Sequence, residues 1–246
     1  MTIKTLPVNA GIVSQETYYQ CGPATVQNAI WAKSQRIVPE SQLARELGTT
    51  VNGTDSIEYL DRVLGNHLGV DHLTQWVTND PPTAQQVSDF WDRLRAAVDN
   101  GFGVAMNWIA PPSNYPQGVG GSPSPSYGGG VVYHYTLAAG YNDGGHRWVF
   151  VADSGFQPKT YWITVEQCVS LIAGKGYAYP AVDASGADEI IAFVKGFVGP
   201  IASDVMDVRA QLCGAAAGYP GWPQLGGRTL VDGLADFRNH AIEVAK

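Results

Sequence analysis

Cysteine is scarce in this chain: Cys21, Cys168 and Cys213 are far apart and odd in number. That excludes a disulfide framework and a paired-cysteine metal site, and leaves Cys168 and Cys213 to be read as buried free thiols. Charge is sparse as well, at 15% of the 246 residues, with a formal balance of −7. Such a balance gives no support for a surface that neutralises nucleic-acid phosphates. Long apolar runs are missing, so no segment reads as a membrane span, and Met1 to Gly11 lacks the apolar core of a signal peptide. Neither stable membrane insertion nor export by the ordinary leader route is expected. Zinc-hydrolase spacing is missing too: His67 and His72 are five apart rather than i,i+4, and both are assigned loop or helix-end roles. Gly128-Gly129-Gly130 is flexible sequence rather than a nucleotide-binding signature, and the acidic residues define no glycosidase pair.

What the chain has in quantity is glycine and proline, 29 and 15 residues, beside 45% hydrophobic residues. That combination suits a globular protein with many turns and some long loops. A helix is expected from Cys21 through Ala32, with Pro23 tolerated in its first turn and Val26, Ile30 and Trp31 on its buried face. Ser41–Leu47 reads as a short helix ended by Gly48, and Asp55 or Ser56 caps a third through Leu64. Pro81-Pro82-Thr83 announces a longer one, Ala84–Asp99, and Val104–Ile109 then begins a series of strands. Helices are thus segregated from strands, the pattern of an α+β fold with an antiparallel sheet rather than repeated βαβ units. Ser113–Gly130 is crowded with glycine, proline and serine and leads into the strand carrying His134; it is either a wall or lid of a cleft or a bystander loop. The composition shifts near Pro180–Gly186, which divides the chain into residues 1–182 and a mainly helical tail, 183–246. A helix is expected around Ile190–Phe197, and a last one, Thr229–Val244, is expected to pack through Leu230, Leu234 and Phe237.

The chemistry is concentrated in three places. Cys21 opens a helix, with Gln15 six residues before it. Val131–Ala139 and Arg147–Asp153 are β-branched and aromatic runs joined through Asp143-Gly144. A two-residue type I′ turn there pairs Asn142 with Gly145, and continuing that register without a bulge sets His134 opposite Asp153. One bulge would alter that count. Taken singly, Cys21 reads as a small buried hydrophobe, His134 as a core histidine, Asp153 as a turn residue and Gln15 as a surface side chain. Taken together they read as nucleophile, base and orienting acid, with the Gln15 side-chain amide and the Cys21 backbone amide as candidate oxyanion donors. No metal or organic cofactor is required by that chemistry.

Gln15 through Ala24, Leu43–Thr50 with Gly53-Thr54, Tyr133-His134-Tyr135 and Val151-Ala152-Asp153 together resemble the C39-like cysteine peptidases, within the papain-like fold, over about residues 10–180. The resemblance implies a helical subdomain with the cysteine helix facing an antiparallel sheet that carries histidine and aspartate. It implies Cys21 as nucleophile, His134 as base and acid, Asp153 as orienter and Gln15 as oxyanion donor. The compact form is similar to the peptidase module of a phage cell-wall lysin, and Asp207–Gly214 and Gly221–Asp232 look similar to segments of proteins from phages of mycobacteria and related actinobacteria. The leading expectation is an endopeptidase that cuts peptidoglycan stem or cross-link peptides during host lysis and reaches the wall through a holin-made opening. The alternatives are a peptidase acting on a protein or peptide precursor, and a non-catalytic virion or wall-binding module. Tyr219 and Trp222 either touch wall glycan or a partner, or pack against the main domain.

Overall fold

The computed structural model describes residues 2–182 and 222–244. The chain divides into two compact units, Met1–Ser185 and Gly186–Lys246. In the first, the order is β1 (Ile3–Thr5), α1 (Cys21–Ser34), α2 (Glu40–Leu47), α3 (Ile57–Leu68), β2 (His72–Trp76), α4 (Ala84–Asp99), β3 (Val104–Ala110), β4 (Val132–Asn142), β5 (Trp148–Ala152), β6 (Thr160–Thr164), α5 (Val165–Ile172) and β7 (Gly176–Pro180). The strands form one antiparallel sheet, ordered β2-β7-β3-β4-β5-β6, with β1 paired to the far end of β4. This is the α+β arrangement that the segregation of helices and strands predicts.

Local chemistry accounts for most boundaries. Thr83 and Gln86 form a reciprocal capping box at the start of α4, and the Ser56 hydroxyl accepts from Glu58 N–H at the start of α3. Gly48 and Gly69 end α2 and α3 in the left-handed conformation, where a β-carbon would be strained. The sequence pattern misses β1 and β2. Both are short, and β2 alternates only weakly (His72 buried, Leu73 and Trp76 exposed), so its strand character comes from pairing with β7. His72 therefore sits in a strand and not in the expected loop or helix end, whereas His67 lies in the last turn of α3.

Helix α1 departs from its expected one-sided pattern. Ten of its residues, Gly22–Ile30 and Ala32, are buried, so Val26 and Ile30 do not define a single face. The helix packs against α2, α3, β3 and β4 at once, and an element enclosed by neighbours loses amphipathic periodicity. Two of its buried side chains donate to backbone carbonyls, Gln27 to Val38 O at 2.8 Å and Asn28 to Ala24 O at 2.8 Å. Cys168 is buried on α5, its thiol 3.4 Å from Met106 Sδ.

The β4–β5 hairpin corrects the expected register. Asn142 pairs with Trp148, not Gly145, so the connection spans residues 143–147. A shift between Ala138 and Gly140 then leaves Leu137 opposite Ala152. Extended one step, that register sets Thr136, not His134, opposite Asp153. The longer loop alone would reverse which face Asp153 occupies, because strand side chains alternate. The bulge reverses it again, so His134 and Asp153 share a face as a diagonal pair, within reach of long side chains.

The tail helix, α6, spans Leu230–Val244, with Thr229 Oγ1 accepting from Asp232 N–H at 3.2 Å. Leu230, Leu234 and Phe237 are exposed, contrary to the expected packing, because an apolar stripe specifies a face that can be covered and not a cover. Ile190–Phe197, Cys213 and Tyr219 lie outside the described residues. Among the described residues, no helix is long and apolar enough to cross a membrane.

Glu40, at the start of α2, is buried and accepts Glu16 N–H at 3.1 Å. Burial pushes its carboxyl up to about 7, and the Glu16 amide only partly offsets this. The folded protein then keeps a proton that the unfolded chain releases above 4.5, so this group makes stability fall as pH rises from 4.5 to about 7. Glu40→Gln should remove that part of the slope, read as a smaller change in the urea midpoint between pH 5 and about 7 than in the unsubstituted protein.

Candidate active site

Cys21 occupies the first turn of α1, where backbone N–H groups have no intrahelical acceptor and the helix end is electropositive. Gly22 allows close approach there: a β-carbon would lie 2.5 Å from Thr54 Oγ1. His134 stands on β4 beyond the last β5 pair, and Asp153 follows the end of β5, its N–H bonded to Lys159 O at 2.8 Å. His134 Nε2 and Asp153 Oδ1 are 2.9 Å apart. With Nε2 directed to the carboxylate, Nδ1 is the ring nitrogen left for Cys21, which lines the same pocket as His134. The structure thus brings together Cys21, His134 and Asp153.

Gln15 is held differently. Its Nε2 donates to Thr17 O at 2.7 Å and its Oε1 accepts from Ser154 Oγ at 3.0 Å, while its backbone N–H reaches Ser154 O at 3.2 Å. The glutamine is therefore anchored to the segment that follows Asp153. It does not line the pocket of about 240 Å³ that opens on Cys21. That pocket is walled by Asn52–Asp55 from the helical side, Asn107 and Tyr133–Tyr135 from the sheet, and Lys175 from the turn before β7. Tyr135 joins the two sides, donating to Thr54 O at 3.1 Å and accepting from Asn107 Nδ2 at 3.1 Å.

Burial and charge oppose each other throughout the site. Burial alone would raise the Cys21 thiol, but the hydrogen bond and charge of His134, with contacts from the Tyr135 and Gly22 backbone, hold it below its ordinary 9.0. Burial alone would discharge His134; the charge and hydrogen bond of Asp153, then those of Cys21, outweigh it and push the imidazolium up to about 10. Burial likewise opposes ionised Asp153, and the imidazolium and hydrogen-bond donors hold its carboxyl below 3.8. Leaving a buried carboxylate unpaired costs about 3–5 kcal/mol, so the aspartate and imidazolium require one another. The arrangement eases transfer of the Cys21 proton to His134, a group that can in turn pass a proton to a leaving amine.

Several contributors escaped the sequence reading. Gly155 lies against the histidine: a β-carbon there would stand 2.9 Å from His134 Cε1 and 3.1 Å from Nε2. Tyr127 and Tyr161 both donate to Asp153 Oδ2, at 2.8 and 2.7 Å. Strand alternation in Thr160–Thr164 marks Tyr161 as inward-facing, but nothing in the glycine-rich run around Tyr127 marks its partner. A hollow of about 410 Å³ on α2 and α3 holds a His67–Glu46 pair at 2.6 Å and no nucleophile. Among the described residues, no group of three or more His, Cys, Asp or Glu side chains could hold a metal ion.

The model of the Peptidase_C39 like family matches residues 8–173, and that of the Rv3766 C-terminal domain matches residues 181–244. No curated protein matches the chain by sequence. Solved structures similar to it include a protein assigned as a C39-like peptidase from Bacillus anthracis, at 13% identity and TM-score 0.46, covering 72% of this chain and 96% of that one. The peptidase domain of Streptococcus ComA follows at 12% identity and TM-score 0.42, covering 73% and 98%. Bromelain from Ananas comosus is at 13% and 0.41, covering 72% and 94%.

The site makes a prediction that needs no substrate. Iodoacetamide at pH 7 should label Cys21 readily by peptide mapping, and His134→Ala should slow that labelling by about 10-fold or more. Cys168, buried with its thiol raised well above 9.0 by burial, should label only after denaturation.

Proposed function

Because the chain belongs to the Peptidase_C39 like family and is a cysteine peptidase, we propose that it is an endopeptidase that cleaves an amide bond within a peptide or protein precursor. The observation that carries this reading is the Cys21–His134–Asp153 assembly opening on a pocket walled from both sides of the fold. In the proposed reaction the Cys21 thiolate attacks the scissile carbonyl carbon and forms a C–S bond, and the carbonyl electron pair moves to oxygen. Collapse of that intermediate expels the amine, which takes the proton from the His134 imidazolium. Water, deprotonated by the now neutral His134, then adds to the thioester carbonyl; departure of the thiolate releases the acid and restores the imidazolium. The Cys21 backbone N–H and the Gln15 amide, whose second N–H has no partner among the described residues, are the proposed donors to the oxyanion.

Peptidoglycan stem peptides are the second reading. It rests on the sequence resemblance alone of Asp207–Gly214 and Gly221–Asp232 to segments of phage proteins, in a stretch that the model of the Rv3766 C-terminal domain matches. Under it the protein would act at the host wall after release through a holin-made opening, with the tail as a wall contact.

Two substrate panels separate the readings: linear peptides of varied sequence, and isolated actinobacterial peptidoglycan, each followed by mass spectrometry of new amino termini. Precursor processing predicts cleavage of linear peptides with little release from the wall polymer, and a lysin predicts the reverse. Cys21→Ala should abolish either activity, and unchanged cleavage by that variant would falsify the nucleophile. With the working peptide, kcat/KM should be bell-shaped: it rises as Cys21 loses its proton, below the ordinary 9.0, and falls as the imidazolium discharges at about 10.

A further inference from the structure

The segment between β3 and β4 does not line the pocket that opens on Cys21, yet it is fixed at several points. Val119 N–H bonds Trp162 O at 2.9 Å, Ser126 N–H bonds Gln157 O at 2.8 Å, and Tyr115 OH donates to Gly130 O at 2.6 Å. Its Tyr127 is buried and stacks on Phe156 with centroids 3.9 Å apart. Its hydroxyl ends on Asp153 Oδ2, where Tyr161 OH also arrives. The other carboxylate oxygen accepts from His134 Nε2 and from the backbone N–H groups of Gly155 and Phe156, at 2.9, 2.9 and 3.2 Å. Asp153 is thus a fully buried carboxylate with five donors, and two of them are phenols.

We infer that Tyr127 and Tyr161 are positioning residues for catalysis, orienting the Asp153 carboxylate and moderating its pull on the His134 proton, and that the 113–130 segment serves to deliver Tyr127. The inference rests on the peptidase reading for its role in turnover, though not for its chemistry. Each phenol that donates to Oδ2 draws off part of the carboxylate charge, so His134 meets a weaker base than a bare buried aspartate would be. That leaves the imidazolium able to give its proton to a leaving amine instead of being held too firmly. Both phenols are themselves raised well above 10.0, by burial first and then by the Asp153 charge, so they remain donors over the working range. The rings of Tyr127 and Phe156 also meet His134 edge-on, at 6.3 and 5.6 Å between centroids, and shield the Asp153–His134 hydrogen bond from water. The Ser113–Gly130 run thereby acquires a role that is neither wall nor lid: it supports the acid from behind.

Tyr127→Phe and Tyr161→Phe test this, since each keeps the ring and removes only the hydroxyl. Either variant should lower kcat by about 10-fold or more with KM within about 2-fold, the loss expected for one hydrogen bond to a charged group. The decisive readout is the pH dependence of Cys21 labelling by iodoacetamide, which requires no turnover. With one donor gone, Asp153 holds the imidazolium more strongly, so the thiolate should appear at lower pH, by about half a unit. That shift, in either variant with its thermal midpoint retained, supports the inference. An unchanged labelling profile in both variants, or a shift to higher pH, overturns it, even if turnover falls along with stability. A labelling shift in a protein that cleaves no peptide would leave the positioning role standing and remove the peptidase reading alone.

Discussion

The hydrogen bond between the Asp153 carboxylate and the His134 imidazole is the interaction on which the site depends. Both groups are buried, and neither charge is tolerable there without the other. Their mutual stabilisation keeps His134 protonated far above an ordinary imidazole, and that in turn overcomes the burial penalty on the Cys21 thiolate. At the aspartate, the backbone N–H groups of Gly155 and Phe156 add to the histidine on Oδ1, so the fold supplies fixed dipoles to the buried carboxylate.

Close backbone approach makes this possible. Gly22 lets the start of α1 settle against Thr54, and Gly155 lets the turn after β5 settle against the imidazole. Tyr135 is the third device, since its hydroxyl links Asn107 on the sheet to the Thr54 carbonyl beside the pocket that Cys21 lines. A displacement of the 52–55 loop would therefore be felt at the wall of the cleft and at the seat of Cys21 together.

The helices were legible because their end signals are local. Thr83 with Gln86, Ser56, Gly48 and the proline in the first turn of α1 each act within one turn of the residues they organise. The hairpin was legible only in parity. Counting through Asp143-Gly144 put His134 and Asp153 on one face, and so does the structure, but by a longer connection and a bulge whose effects on facing cancel. Turn composition cannot reveal a compensating bulge, because the bulge is set by how β4 meets β1, β3 and β5 along its length. The one-sided burial expected for α1 failed for a related reason: enclosure by four elements is a property of the assembled chain.

By itself the sequence determined the segregation of helices from strands, the helix that begins at Cys21, and the candidate set of cysteine, histidine, aspartate and glutamine. Each follows from residues close together in the chain or from a motif with fixed spacing. Tertiary structure alone decided that His134 and Asp153 meet diagonally and that Gln15 is tied to Ser154 and Thr17. It alone brought Tyr127 and Tyr161, 34 residues apart in the numbering, onto one carboxylate oxygen. The physical reason is that a buried charge must collect its donors from wherever the fold can bring them, and chain proximity does not constrain that choice. The cysteine at the head of α1 could be found by reading; the five donors that let Asp153 serve it could be found only by folding.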